Sequence, residues 1–383
     1  MTKAILAAFG SALLVAGPAL AEDAPAAPPA LGPALAGPLS YSDKPISFEA
    51  GSLGDIYITG IGTGFLGTQS NSTVEAASFA DISNAAAIIQ KADGVVQFLV
   101  HVGAYNHETL GFSYTKATRF TDLTYGVVPQ AYVKLVPSAN FSIQAGIMPT
   151  MIGLEGPFTF QNMNIDRGML WGQENVLTRQ VQANFTTGKL ALSLSFGDGF
   201  FSGKWNWISG LATYTFNSSN ALTVVAGGPT STNYKSTFAT PVFQNNSTIV
   251  DVIYSYSSGK FLIQPYFQYT SVPALPLIGT DGAESWSGAV LARYNFSDSF
   301  SLPVRFEYID TKAKGPNAAS LINGPGANAF SFTITPTYKW KQFFVRPEFS
   351  VVSASDVTPG LGFGRDGLAK SQVRGRLEFG VIF

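Results

Sequence analysis

The side chains able to do chemistry gather in three places. Glu155, Asp166, Arg167 and Glu174 share one long stretch, "MPTMIGLEGPFTFQNMNIDRGMLWGQE". Arg293, Arg305, Glu307, Arg346, Glu348, Arg374, Arg376 and Glu378 recur toward the C-terminus at alternating positions. His101 and His107 are the only histidines. Neither histidine has a serine-and-acid set or a second ligand at metal spacing nearby, so no catalytic triad, zinc or other metal site is expected. Gly62, Gly64 and Gly67, and again Gly362, Gly364 and Gly367, match dinucleotide-loop spacing. Neither set opens a helix, and 39 glycines make chance matches expected, so no cofactor is implied. The arginines and acids suit a different chemistry. Fixed charge inside a narrow, partly dehydrated passage acts more strongly than in open water and decides which ions enter. The plainer alternative is that arginine and glutamate pair across strands and stiffen a wall. Both can hold together.

The elements that would position these residues are strands. Charged residues make up 12% of the chain, against about 25% in ordinary soluble domains. Hydrophobic residues reach 46% with no long apolar helix. In "NAFSFTITPTYKW", Phe330, Phe332, Ile334, Tyr338 and Trp340 alternate with Ser331, Thr333, Thr335, Thr337 and Lys339. In "SFSLPVRFEYID", Phe306 and Tyr308 flank Arg305 and Glu307 in the same period. Such segments recur at roughly ten residues, the length a tilted strand needs to cross a bilayer. They begin with blurred ones near 55–66 and 81–91. Short polar turns such as "KADG", "TTGK", "SSGK" and "WKQ" alternate with mostly longer connections, of which 149–174 is the third. The pattern predicts an all-β, transmembrane antiparallel barrel of about 16 strands over 47–383, with short periplasmic turns and longer extracellular loops.

The parity of the strands places the arginines and glutamates named above on the lumen wall, as neighbours in one ladder. The 149–174 loop carries Met151, Ile152, Leu154, Phe158, Phe160 and Trp171, too apolar for an exposed position, and is expected to fold against the interior and narrow the passage. Covering the mouth or touching a neighbouring subunit is the other option. Aromatic residues gather near strand ends: Tyr214, Phe216, Tyr294, Phe296, Tyr338, Trp340 and Phe343 on the turn side, and Trp205, Trp207, Tyr269, Trp286 and Tyr308 on the loop side. They read as interfacial girdles, with an aromatic sugar slide as the sharper alternative.

At the other end, Lys3 precedes the apolar run "AILAAFGSALLVAG" and small residues at Ala19 and Ala21, the pattern of a cleaved signal peptide over 1–21. Residues 22–46, rich in alanine and proline, read as a periplasmic tether. Without cysteine the chain has neither a lipid-anchored N-terminus nor disulfides. Its near-neutral balance gives no reason to expect nucleic acid.

The last strand, "RLEFGVIF", sets Leu377, Phe379, Val381 and Phe383 on one face and Arg376 and Glu378 on the other. It resembles the C-terminal signal of bacterial outer-membrane proteins, which implies recognition of Phe383 by the barrel-assembly machinery. In "GIMPTMIGLEG", Gly146, Pro149, Thr150, Gly153 and Glu155, with Asn162 following, resemble the OmpL-like β-barrel porins. The resemblance implies a channel in outer-membrane lipid passing small hydrophilic solutes and ions, with a homo-oligomer such as a trimer as its assembly. It also implies a third loop turned inward whose acids face a basic wall. Arg167 dilutes the loop's charge and the glutamates dilute the wall's. A substrate-specific channel, a barrel enzyme and an adhesion platform are the competing functions. The first would saturate with its substrate, the second lacks a nucleophile or metal, and the third would have larger external loops.

Overall fold

The structure is a computed structural model that describes residues 45–73, 77–239 and 241–383. The expected leader and nearly all of the expected tether lie outside the described residues. In chain order the strands are β1 (Ile46–Glu49), β2 (Asp55–Gln69), β3 (Ser78–Lys91), β4 (Val96–Tyr105), β5 (Gln130–Ser138), β6 (Phe141–Pro149), β7 (Leu177–Thr187), β8 (Leu190–Gly197) and β9 (Trp207–Asn217). They continue as β10 (Asn220–Pro229), β11 (Thr248–Ser258), β12 (Phe261–Val272), β13 (Ala283–Asn295), β14 (Phe300–Ala313), β15 (Asn328–Ile334), β16 (Thr337–Trp340), β17 (Phe343–Ser355) and β18 (Ser371–Ile382). A short helix, α1 (Ala117–Leu123), lies between β4 and β5.

Each strand from β2 to β14 pairs antiparallel with the next, β17 pairs with both β15 and β16 and then with β18, and β18 closes on β2 from Arg374↔Gln69 to Ile382↔Ile61. Closure leaves no wall edge unpaired, which is what hydrocarbon demands of a spanning sheet. The wall counts 16 strands, because β15 and β16 are one strand interrupted at Pro336. β14 pairs with both pieces, and proline has no N–H to give the ladder. β1 is additional. It pairs with Asp55–Ile58 on the edge of β2 that β18 uses farther along, and it begins at Ile46, the last residue assigned to the tether.

Two faces follow from the two-residue period. Phe306, Tyr308, Phe330, Val373 and Phe379 are exposed outward, while Arg305, Glu307, Ser331, Thr333, Arg374, Arg376 and Glu378 are buried inward. Most of the expected girdle aromatics lie outward. Trp207 is a correction: it is 3% exposed and packs inside against Phe200, with ring centroids 5.3 Å apart. Trp205, in the connection just before, is exposed, so the inside–outside alternation of β9 starts with Trp207 inward. The blurred faces of β2 and β3 also have a cause. The register shifts between Thr63 and Gly64, so that Ser83 and Asn84 are both buried.

Candidate functional site

The connection from β6 to β7, residues 150–176, does not project from the barrel. Every residue from Met151 to Trp171 is buried. Its apolar side chains dock on lumen-facing residues around much of the circumference. Met151 and Ile152 pack with Trp207, Leu211 and Val225. Leu154, Met163 and Leu170 pack with Leu291, Ile309 and Val352. Phe158 and Phe160 join Leu99, Tyr132 and Leu177. At about 1.5–3 kcal/mol for each large side chain fully buried, this contact outweighs the exposure such a loop would otherwise suffer.

The residues of the recognised motif tie the loop's own backbone. Asn162 accepts from the Gly156 N–H at 2.7 Å and donates to the carbonyls of Gly156 and Phe158 at 2.8 and 2.9 Å. Thr150 donates to the Asn175 carbonyl. Gly153 turns at φ 78°, and a Cβ there would fall 1.8 Å from a Glu174 carboxylate oxygen. Only glycine combines that backbone with that neighbour.

Polar contacts then fasten the loop to the wall of β14, β17 and β18. Glu155 accepts from Arg305 Nη1 at 2.6 Å, and Arg305 also reaches Glu307 at 3.2 Å. Asp166 lies 3.3 Å from both Arg374 and Arg376. Burial alone would push its carboxyl up, but Arg376 and Arg374 together outweigh burial and hold it below the ordinary range. The wall's glutamates face the loop's backbone. Glu348 accepts from the N–H groups of Ile165 and Asp166, Glu307 from Leu170 N–H, and Glu378 from the Thr159 hydroxyl. Arg346 bonds Glu378 and also donates to the loop carbonyls of Asn162 and Thr159, both at 2.8 Å.

The sequence-named residues therefore separate into groups. Glu155 and Asp166 meet Arg305, Arg374 and Arg376. Arg167 turns back on its own loop and donates to the carbonyls of Gly156, Ile165 and Pro157. Arg293 sits near the turn end of β13. Glu174 bonds the Tyr266 hydroxyl at 3.2 Å. His101 faces inward with its ring 4.3 Å from that of Phe158, and His107, placed by sequence at the start of an external loop, is buried. Sequence reasoning missed Glu108, which accepts from Arg376 at 3.1 Å, and Asp251, which accepts from the Gly153 N–H at 2.9 Å. Asp251 carried an available signal, as an acid at lumen parity in β11. Glu108 carried none, because it sits in an irregular connection. Among the described residues no group of histidines and acids could hold a metal ion.

A closed 16-stranded antiparallel wall, apolar outside and charged within, is the architecture of an outer-membrane porin. Solved structures agree on the fold. OmpF of Salmonella typhi matches at TM-score 0.58 and 13% identity, covering 88% of this chain and 100% of its own. The outer-membrane channel DcaP of Acinetobacter baumannii matches at 0.58 and 12%, covering 88% and 99%. An anion-selective porin from Comamonas acidovorans matches at 0.57 and 9%, covering 86% and 99%. A search of curated proteins gives no match. Residues 57–383 match the model of the family "Putative beta-barrel porin-2, OmpL-like", and the chain belongs to that family. It is a bacterial outer-membrane channel by family, and its fold points to passage rather than to catalysis.

Proposed function

We propose that residues 150–176 form the constriction of a passive channel for small hydrophilic solutes and ions. The observation that carries this reading is the pairing of Glu155 with Arg305 and of Asp166 with Arg374 and Arg376, which fixes the loop's acids opposite a basic wall. The apolar packing of Phe158, Leu154 and Met151 supports a tight constriction and therefore a small solute cutoff. Charges held this close to a permeating ion shift selectivity more than equal charges at a wide mouth, where salt screens them over about 8–10 Å. The exposed apolar outer face supports outer-membrane lipid as a partner. The aromatic closure at Phe383, whose exposed ring covers Gly60 on the outward face of the seam, supports Leu377, Phe379, Val381 and Phe383 as the signal read by the assembly machinery. Residues 1–21 act in this reading as the export leader, and the tether that follows hands over to β1 at Ile46.

Single-channel recording in planar bilayers tests the constriction. Shortening the loop between Gly156 and Gly168 should raise conductance. Neutralising Arg305 and Arg346 should move the reversal potential in a salt gradient towards cations, and neutralising Glu155 and Asp166 towards anions. Unchanged conductance in the shortened loop would end this reading while leaving the barrel intact.

A further inference from the structure

At the loop end of the barrel a cavity of about 400 Å³ opens between the 106–129, 150–176, 198–206 and 230–247 connections. That volume suits a small organic molecule. Its walls include the rings of Phe120, Tyr125, Trp171 and Phe238, and its acids are Glu174 and Glu108. No lysine or arginine lines it among the described residues. Glu108 already has Arg376 behind it. Glu174 is different: it is 4% exposed, and its bond is to the neutral Tyr266 hydroxyl. No cationic side chain among the described residues pairs with it. His107 also lines the cavity, 6% exposed, and its Nε2 has no hydrogen-bond partner. Its ring lies 4.8 Å from that of Phe120 and 5.7 Å from that of Trp171.

Electron-rich ring faces around an uncompensated carboxylate favour a cation with an apolar body, because the rings and the acid both attract positive charge while the rings also cover hydrocarbon. We propose that this cavity binds small organic cations, seating the ammonium against Glu174 and the ring faces and the apolar body among Phe120, Trp171 and Phe238. A neutral sugar would gain nothing from the negative charge that Glu174 can develop. An inorganic cation would forgo the rings.

The groups facing Glu174 are Asp251 on β11, Tyr266 on β12, Glu307 on β14 and Glu155 within the same loop, with His107 and Glu108 across the cavity. Burial, reinforced by the Asp251 and Glu155 charges, holds the empty-site Glu174 carboxyl well above its ordinary range. Burial holds the His107 imidazole well below its own, with Arg167 and His101 adding to it, so His107 offers no competing charge. A bound ammonium stabilises the ionised Glu174, and binding therefore releases a proton.

The test is calorimetry of the full chain refolded in detergent, titrated with benzyltrimethylammonium, benzyl alcohol or glucose, against micelles alone as the blank. The ammonium should bind saturably at one site, about tenfold or more tighter than benzyl alcohol. Its heat should differ between buffers of different ionisation enthalpy, as proton release requires. Glu174→Gln should weaken binding and abolish the buffer dependence. Phe238 is exposed and outside the wall, so Phe238→Ala should weaken binding severalfold without disturbing the barrel, which heat-modifiable migration on gels would verify. Equal binding of ammonium and alcohol, binding of glucose instead, or ammonium binding unchanged in both variants would overturn the proposal. Conduction is not read in this experiment, so its failure leaves the channel reading standing.

Discussion

Glu155 and Arg305 stand 150 residues apart in sequence and meet at 2.6 Å, both withdrawn from solvent. The carboxylate comes from an irregular loop and the guanidinium from the middle of β14, so the pair fixes the loop to the wall at that level of the barrel. Its second oxygen accepts from the Gly168 N–H at 2.6 Å, which joins the two limbs of the loop at the same point.

Breaking a buried pair leaves one charge without compensation and costs about 3–5 kcal/mol. Glu155→Gln and Arg305→Gln should therefore each loosen the loop. The expected readouts are faster thermolysin cleavage within 150–176 and noisier, larger single-channel currents. Replacing both partners by apolar residues, Glu155→Leu with Arg305→Met, should restore protection more fully than either single change. Full protection in both single variants would show that the apolar contacts of Phe158 and Leu154 hold the loop unaided.

The two faces of the wall carry a second prediction. Phe306 points outward and is exposed, whereas Ser255 shares the inward parity of Ile249, Asp251 and Ile253. Phe306→Arg places a guanidinium in hydrocarbon, at about 2–4 kcal/mol near the midplane. Ser255→Arg places it in the lumen beside Gln264, which donates to the serine hydroxyl at 3.0 Å. Unfolding in lipid vesicles should show a clear loss for Phe306→Arg and a small one for Ser255→Arg. Losses of equal size would contradict the assignment of faces.

Much of this architecture was legible in the chain because a spanning strand must alternate. Phe306 and Tyr308 around Arg305, or Leu377 and Phe379 around Glu378, announce their faces within a few residues. Alternation fails where the backbone does, as at the bulge that turns both Ser83 and Asn84 inward, or at Trp207, whose face is fixed by where β9 begins. The site was legible as a set of charges but not as a set of pairs. Which arginine meets Asp166 depends on the closure of β18 onto β2 and on the path of an irregular loop, and neither leaves a periodic trace. Glu108 matters because that loop passes it, so no pattern of its own marks it out, whereas the lumen parity of Asp251 in β11 marks its face but not its partner.

Stability should depend on pH through Glu174. Its carboxyl is held well above the ordinary range by burial and by the Asp251 and Glu155 charges beside it. Between the ordinary carboxyl range and that raised value, the folded protein keeps a proton that the unfolded chain has released. The resulting stabilisation is fully present below the unfolded pKa and is lost as pH rises through the folded one. Urea midpoints in detergent should fall for the wild type across this window. Glu174→Gln, which cannot ionise, should fall less, so that the variant gains on the wild type as pH rises. Parallel curves would mean that Glu174 titrates normally in the folded protein.

Closure of the barrel supplies the last prediction. Phe383 exchanges backbone hydrogen bonds with Gly60 at 2.8 and 3.1 Å, just beyond the β18 and β2 ladder. Its ring lies over the bare face of that glycine, where an added Cβ would come within 2.5 Å of the ring. An aromatic ring covering a glycine on the neighbouring strand pins register where a barrel must close on itself. If the terminal ring is also what the assembly machinery reads, deleting Phe383 removes both functions, whereas Gly60→Val displaces the ring and leaves the terminal residue in place. Export should be intact in both, measured as leader-free protein reaching the periplasm. The deletion should lower the heat-modifiable barrel fraction in the outer membrane strongly. Gly60→Val should lower it less in cells, yet slow refolding of the purified chain into vesicles, where no machinery is present. A deletion strain with normal barrel levels would remove the signal role, and unimpaired refolding of Gly60→Val would remove the closure role, so the two parts fail separately.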